Sequence, residues 1–140
     1  MKRQRLLVEY EFDFDVFGIV SAFKDYKLAW NLNKFLDIDL VRQKDLCLKF
    51  INYELAIANY KFKTENSLLM LLKNRSLNSY SGDSLFLVPE MVEIDYFITV
   101  DTGLSERPIQ LLKNLRDIRG IDFALKVDIE NLKSKENFLF

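Results

Sequence analysis

Four carboxylates alternate with apolar residues near the start of the chain and could bind a metal ion. Glu9, Glu11, Asp13 and Asp15 are spaced by two, so a β-strand would place them on one face. Oxygen ligands of this type suit hard cations such as Mg²⁺ or Ca²⁺. Neighbouring carboxylates would lie about 7 Å apart along the strand, so one ion would need further acids. Asp13, Asp15 and Asp95 are the candidate ligands, and a solvated strand face is the simpler interpretation.

A second group of polar side chains is formed by Pro89, Glu90, Asp95 and Tyr96. The alternation over residues 92–100 predicts a strand on which Asp95 and Tyr96 point to opposite faces. Tyr96 would then lie in the core, with its hydroxyl bonded at the rim. Two interpretations remain for this group. Either Pro89 fixes a turn and one of the acids binds loop amides, or the acids belong to a ligand site.

The residue types that are missing limit the chemistry further. The chain has no histidine, one cysteine and four glycines. Histidine is the commonest general base and a frequent zinc ligand, and glycine-rich loops hold phosphates in nucleotide-binding motifs. The single thiol, Cys47, lies in an apolar run and is expected to be buried and inert. We therefore predict a non-catalytic protein with no cofactor and no resident metal ion.

The first predicted helix, residues 21–37, carries a candidate surface for a protein partner. Trp and Tyr dominate the energetics of protein interfaces. Here Tyr26 and Trp30 occur together with Lys24 and Lys27, and Trp30 flanks the apolar stripe of the helix. The alternative is that Trp30 packs at the edge of the core. Of the candidate groups, this one favours a function most.

The chain ends with two aromatic residues, Phe138 and Phe140. In water they would form an exposed apolar patch, so they are expected to dock on a surface. They could pack on their own domain. They could also add to a neighbouring molecule and form a dimer or a partner-binding tail.

Residues 88–96, VPEMVEIDY, resemble the signature of a small bacterial family named for the pattern IPExxxVDY. Val88 and Ile94 are apolar exchanges for the Ile and Val of the pattern. Residues 24–34, KDYKLAWNLNK, and residues 133–137, KSKEN, are similar to further segments of that family. The resemblance implies a bacterial protein with no assigned activity, so it transfers no catalytic residue. The positions identical to the pattern are Pro89, Glu90, Asp95 and Tyr96.

Hydrophobic periodicity predicts the elements that position these residues. Period-two alternation over residues 6–20 predicts a half-buried strand with a bulge or bend at Gly18, and Ser21 is a candidate cap for the helix that follows. Residues 67–73 are apolar on both faces, as in a central strand, and the polar residues 74–83 predict a mobile loop. Further strands are predicted at residues 38–42, 45–51, 53–62, 84–88, 121–127 and 138–140, and a second helix at residues 105–120.

These elements indicate an α+β fold. We expect a two-layer sandwich in which a mainly antiparallel sheet of about six to seven strands packs against two helices. Residues 31–40 and 114–123 align without a gap, which favours two strand–helix–strand units flanking a central meander; chance similarity between two amphipathic helices is the alternative. Right-handed connections would place both helices on one side of the sheet only if the two units run in compatible directions. The length fits a single domain over residues 1–140, and an apolar content of 49% can fill a core.

Charge and hydropathy restrict the partners. Twenty basic and 21 acidic residues give a net charge of −1, which makes a general nucleic-acid binder a poor candidate. No apolar run approaches about 18 residues, so we expect no membrane span and a cytoplasmic location. The preferred function is a non-catalytic binding or adaptor domain that holds a protein partner or a second copy of itself. The rival is a carboxylate-based, metal-dependent enzyme or small-ligand domain. A weaker rival is a structured-RNA binder that uses Lys24, Lys27, Lys61, Lys63 and Arg75.

Overall fold

The computed structural model describes residues 14–101 and 108–140. The first predicted strand is therefore described only from Phe14 onward, and Glu9, Glu11 and Asp13 lie outside the described residues. The start of the second predicted helix also lies outside them. The described helices are α1 (Asp25–Leu36) and α2 (Pro108–Arg116), and the strands are β1 (Phe14–Val20), β2 (Val41–Arg42), β3 (Leu46–Lys49), β4 (Glu54–Ile57), β5 (Asn59–Lys63), β6 (Leu68–Lys73), β7 (Arg75–Tyr80), β8 (Asp83–Phe86), β9 (Tyr96–Asp101) and β10 (Phe123–Val127).

Six of the described strands form one antiparallel sheet in the order β10-β1-β9-β6-β5-β2. Each neighbouring pair runs antiparallel. In chain order, α1 connects β1 to β2 and α2 connects β9 to β10. The predicted α+β fold, with a mainly antiparallel sheet and two helices, is confirmed.

Both helices pack on the same face of this sheet. Leu28 and Leu32 of α1 and Leu111 and Leu115 of α2 belong to one buried cluster with strand residues such as Ile98. Their spacing of four residues places each pair on one side of its helix. Both helices therefore lie on one side of the sheet. The predicted central meander between the two strand–helix–strand units is wrong, because β1 pairs directly with β9 and the hairpins β3–β4 and β7–β8 lie outside the six-stranded sheet.

The opposite face of the sheet is covered by the hairpins β3–β4 and β7–β8 and by the C-terminal segment. Leu55 and Ile57 of β4 pack there with Phe97, Leu87 and Phe138. Residues 16–19 of β1 are therefore buried on both faces, where we had expected one solvated face. The alternation of apolar residues in β1 could not show that other elements cover the sheet face opposite the helices.

Three predicted elements are divided or replaced in the structure. Residues 53–62 were predicted as one strand. In the structure the strand is interrupted at Ala58, and its two parts, β4 and β5, belong to different sheets. Apolar alternation continues across the break, so the pattern could not reveal it. The residues predicted as a mobile loop, 74–83, contain the strand β7. β7 belongs to a two-stranded sheet and most of its side chains are exposed, so its composition is as polar as that of a loop. The predicted C-terminal strand is replaced by a 3-10 turn, Lys135–Phe138.

Local predictions at two small residues were also wrong. Gly18 forms no bulge: it pairs in register with Phe97 and Leu125, and an added Cβ would meet the Ile94 side chain at 3.2 Å. It is needed for close packing rather than for a bend. Ser21 does not cap α1, because the cap residue is Lys24 and no side chain caps it.

Candidate functional site

The signature segment, residues 88–96, is a turn that leads into β9 rather than a continuous strand. A 3-10 turn spans Pro89–Met91, and β9 begins only at Tyr96. Asn74, fully buried between β6 and β7, holds this turn. Its Nδ2 donates to the carbonyl oxygens of Met91 at 2.9 Å and Ile94 at 2.8 Å, and its Oδ1 accepts from the backbone N–H of Val88 at 2.9 Å. The Asn74 side chain thus binds backbone groups on both sides of residues 92–93, in a segment where the sequence predicts the hydrogen bonds of a β-strand.

The last two residues of the signature bind the loop between β1 and α1. Asp95 Oδ2 accepts from the backbone N–H of Ser21 at 2.9 Å, and the Tyr96 hydroxyl donates to the Phe23 carbonyl at 2.6 Å. Ser21 Oγ in turn donates to the Gly120 carbonyl at 2.6 Å. Burial raises the pKa of Tyr96, and the nearby charges of Asp25 and Asp95 act in the same direction. The hydroxyl therefore stays protonated and keeps its role as a donor.

The signature glutamate binds the C-terminal segment. Glu90 Oε2 accepts from the backbone N–H of Ser134 at 3.0 Å, and Oε1 accepts from the Ser134 hydroxyl at 2.9 Å. Partial burial pushes the pKa of Glu90 upward, but hydrogen bonds from the backbone and from Ser134 outweigh it, so the pKa is lowered. Glu90 is thus held as a carboxylate whose two oxygens are both engaged.

A groove of about 320 Å³ opens beside the signature segment. We call it the signature groove. Its charged lining residues are Lys24, which precedes α1, Lys73 at the end of β6, Arg75 at the start of β7, and Asp95. Phe23, Phe86, Ile94 and Tyr96 contribute apolar and aromatic surface. Three basic side chains from separate parts of the chain therefore line the groove, where two of the family-like segments meet.

The aromatic face of α1, formed by Tyr26 and Trp30, is open to solvent. The side chains are 64% and 60% exposed and lie one helical turn apart. Lys34 Nζ lies 5.1 Å from the centre of the Trp30 ring, and Lys27 Nζ lies 4.5 Å from the centre of the Phe23 ring. The exposure of Trp30 disagrees with the interpretation that this ring packs at the edge of the core.

The two C-terminal aromatics have different environments. Phe138 is buried and meets the Phe97 ring edge-on, with the ring centres 5.7 Å apart. Asn137 Nδ2 anchors the same turn by donating to the Leu87 carbonyl at 2.8 Å. Phe140 remains about half exposed. The segment thus docks on its own domain, and Phe138 is not accessible to a partner.

The structure does not bring together the described members of the predicted metal set. Asp15 pairs with Lys126 at 3.6 Å, while Asp95 lies beside Ile19, since its N–H donates to the Ile19 carbonyl. Four residues along β1 separate these positions, or about 13 Å. Asp13 lies outside the described residues. Within residues 14–101 and 108–140 no group of three acids or cysteines is placed to hold a metal ion.

Several residues that build this region were missed by the sequence. Asn74 was assigned to a loop because its neighbours are polar, and no motif marks Gly120 as the partner of Ser21. Cys47 was predicted to be buried, but it is exposed, because β3 belongs to a two-stranded sheet whose outer side faces solvent. A hydrogen bond with Glu54 is the main cause that raises the pKa of the Cys47 thiol.

The buried position of Tyr96 followed from its spacing. The interpretation in which Pro89 fixes a turn and the acids bind loop amides agrees with the bonds of Asp95 to Ser21 and of Glu90 to Ser134.

Comparison with known proteins adds no function. A scan of the chain against models of known protein families finds no match, and a search of curated protein sequences finds none either. The resemblance to the IPExxxVDY family and the assignment of residues 1–140 to one domain stay predictions. In the part of the chain that the structure describes, no helix is both long and apolar enough to cross a membrane.

Proposed function

We propose that this chain is a non-catalytic, cytoplasmic binding domain that holds a protein partner through the aromatic face of α1. The observation that carries the proposal is the exposure of Tyr26 and Trp30 on one side of a helix whose opposite side carries the buried Leu28 and Leu32. Large aromatic side chains contribute most of the binding energy at protein interfaces when a partner removes them from water.

The structure around these two rings suits an interface. α1 is anchored by Leu28 and Leu32 in the core, so the exposed rings sit on a rigid element and lose little conformational freedom on binding. Lys27 and Lys34 flank the rings. The partner surface should therefore combine an apolar patch with acidic residues, because charge complementarity favours the correct partner.

The chain offers an internal probe for this proposal, because Trp30 is its only tryptophan. Partners captured from the native cell would be identified and then titrated against the purified full chain while Trp30 fluorescence is recorded. We expect the emission to shift to shorter wavelength as the partner covers the ring. The affinity should fall at least about tenfold in Trp30→Ala or Tyr26→Ala, as for an interface hot spot.

Phe123→Ala is the matched control, because Phe123 is a comparably exposed aromatic on the edge strand β10. Binding should be unchanged in this variant. The proposal is wrong if partners bind Trp30→Ala and Tyr26→Ala as tightly as the unaltered chain. Sedimentation velocity over a range of concentrations tests a second copy as the partner: a dimer that uses this face should be lost in Trp30→Ala and kept in Phe123→Ala.

A further inference from the structure

We propose that the signature groove binds a small organic anion of the phosphate-monoester class. Its lining includes Lys24, Lys73 and Arg75 against one carboxylate, Asp95, which leaves an excess of two positive charges. A phosphate monoester carries between one and two negative charges near neutral pH. The charge of the groove therefore matches that of the ligand.

The single carboxylate does not neutralise the cations of the groove. Asp95 accepts a hydrogen bond from the Ser21 N–H, so one of its oxygens is engaged by the backbone. Neither Lys24 nor Lys73 forms an ion pair with a carboxylate elsewhere in residues 14–101 and 108–140. Lysines without a partner on a concave surface attract anions, because the walls of a groove concentrate the field.

Arg75 has N–H donors that could serve forked recognition of an anion. One guanidinium nitrogen donates to Ser84 Oγ at 2.8 Å, and the guanidinium carbon lies 5.4 Å from the centre of the Phe86 ring. These two contacts restrain the guanidinium, and the single hydrogen bond leaves several of its N–H donors for a ligand. A planar pair of such donors matches two oxygens of a phosphate group.

The walls of the groove are fixed before any ligand arrives. The Tyr96 hydroxyl and the Asp95 carboxylate hold the backbone at Phe23 and Ser21, and Asn74 holds the signature turn. Lys24 is also the N-cap residue of α1, which has no side-chain cap, so the positive end of the helix dipole lies at the rim. A preorganised site binds more tightly because less order is created on binding.

The size and surface of the groove favour an organic ligand over inorganic phosphate. A volume of about 320 Å³ is near the lower end of the range for small-molecule sites, roughly 300–1,000 Å³. Phe23, Phe86 and Tyr96 offer aromatic surface beside the cations. An anion with an apolar or aromatic body would use both parts of the lining.

Titration of the full chain with phenyl phosphate at constant ionic strength tests the proposal. Isothermal calorimetry should give saturable binding, weaker binding of inorganic phosphate, and weaker binding of benzoate, which has one charge. Lys73→Gln and Arg75→Gln should each weaken phenyl phosphate binding about tenfold, the expected effect of one charge-assisted hydrogen bond. Arg75→Lys should recover only part of the affinity, since it keeps the charge and loses the fork.

Lys113→Gln is the matched control, because Lys113 is an exposed lysine on α2 that does not line the groove. It should bind phenyl phosphate normally, as should Trp30→Ala, so failure of this proposal is distinct from failure of the proposed function. Thermal denaturation of each variant confirms that it is folded. The proposal is overturned by the absence of saturable binding, by benzoate binding as tightly as phenyl phosphate, or by equal loss of affinity in Lys113→Gln.

Discussion

The signature segment and the aromatic face of α1 differ in what their side chains contact. Glu90, Asp95 and Tyr96 make their hydrogen bonds inside the protein, to Ser134, Ser21 and Phe23. Tyr26 and Trp30, which belong to another segment of the same family resemblance, are mostly exposed. The first region connects loops to the core, and the second is available to a partner.

The difference shows that a recognisable sequence pattern and an available binding surface need not be the same residues. The matched side chains of the signature act mainly by positioning neighbouring backbone. The surface that they help to shape, the signature groove, takes its cations from Lys24, Lys73 and Arg75, of which only Lys24 lies in a family-like segment. If this distinction is right, signature variants should lose stability, and variants of the α1 face should lose binding alone.

The largest loss of stability is expected for Asn74→Ala. The substitution leaves the buried carbonyls of Met91 and Ile94 and the N–H of Val88 without their partner. Unsatisfied buried groups each cost about 1–3 kcal/mol, so the free energy of unfolding should fall by about 3 kcal/mol or more. Urea denaturation measures this change. Asn78→Ala, which removes an exposed bond to the Glu54 carbonyl, should cost about 1 kcal/mol or less; equal losses would contradict the role given to Asn74.

Gly120→Ala should be the next most damaging change. Gly120 has φ of +100°, and an added Cβ would overlap the Phe23 ring in the loop that Tyr96 holds. Backbone strain and overpacking together should lower the free energy of unfolding by at least about 2 kcal/mol. Gly82→Ala is the matched variant, since Gly82 has φ of +83° but no atom within 4 Å of an added Cβ. Its free energy of unfolding should fall only by the cost of the backbone strain, about 1 kcal/mol. Thermal denaturation of both variants separates the strain from the overpacking.

Glu90→Gln should have a smaller effect that depends on pH. The folded-state pKa of Glu90 is lowered, so its stabilisation is present above the ordinary glutamate pKa of about 4.3 and is lost as pH falls through the folded-state value. At pH 7 the variant should be less stable by about 1 kcal/mol or less, because the site is partly exposed. The difference between the two denaturation curves should shrink as pH falls below the ordinary glutamate pKa. A difference that does not shrink with falling pH, or one that Glu65→Gln in the exposed β5–β6 turn reproduces, would exclude the charged bond as its cause.

The smallest change in stability is expected for Trp30→Ala. The side chain is mostly exposed and its described ring contact is with Lys34, so the free energy of unfolding should change by less than about 1 kcal/mol. Leu32→Ala, two residues away on the buried side, should cost about 2–5 kcal/mol. Guanidinium denaturation of the two variants tests this contrast. A large loss for Trp30→Ala would place the ring in the fold rather than in an interface.

Part of the fold could be predicted from periodicity. The stripe of Leu28 and Leu32 predicts α1, and the unbroken apolar run at residues 68–72 predicts the buried strand β6. The sequence indicated a turn at Pro89 but not its extension to residue 95, because Val92, Ile94 and Tyr96 continue the period of a strand. The amide of Asn74, contributed from 14 or more residues earlier in the chain, replaces that strand with a turn.

Of the candidate sites, the sequence identified the exposed aromatic pair and the acids but not their surroundings. It could not show that Phe138 packs against Phe97, because docking in cis and docking in trans bury the same aromatic surface. It also could not assemble the signature groove. Lys24, Lys73 and Arg75 are separated by up to 51 residues in the chain. The pairing of β6 with β9 places Lys73 opposite Tyr96, and the hydrogen bonds of Asp95 and Tyr96 to Ser21 and Phe23 bring the loop before Lys24 to the same place.

The sequence by itself determined the α+β class, the amphipathic helices and the absence of histidine chemistry, because these depend on residue type and local spacing. Only the tertiary structure decided which polar side chains are engaged internally and which surfaces stay open. Hydrogen-bond partners such as Asn74 with Ile94, or Tyr96 with Phe23, come from distant parts of the chain. A local pattern carries no information about what a side chain meets once the sheet has formed.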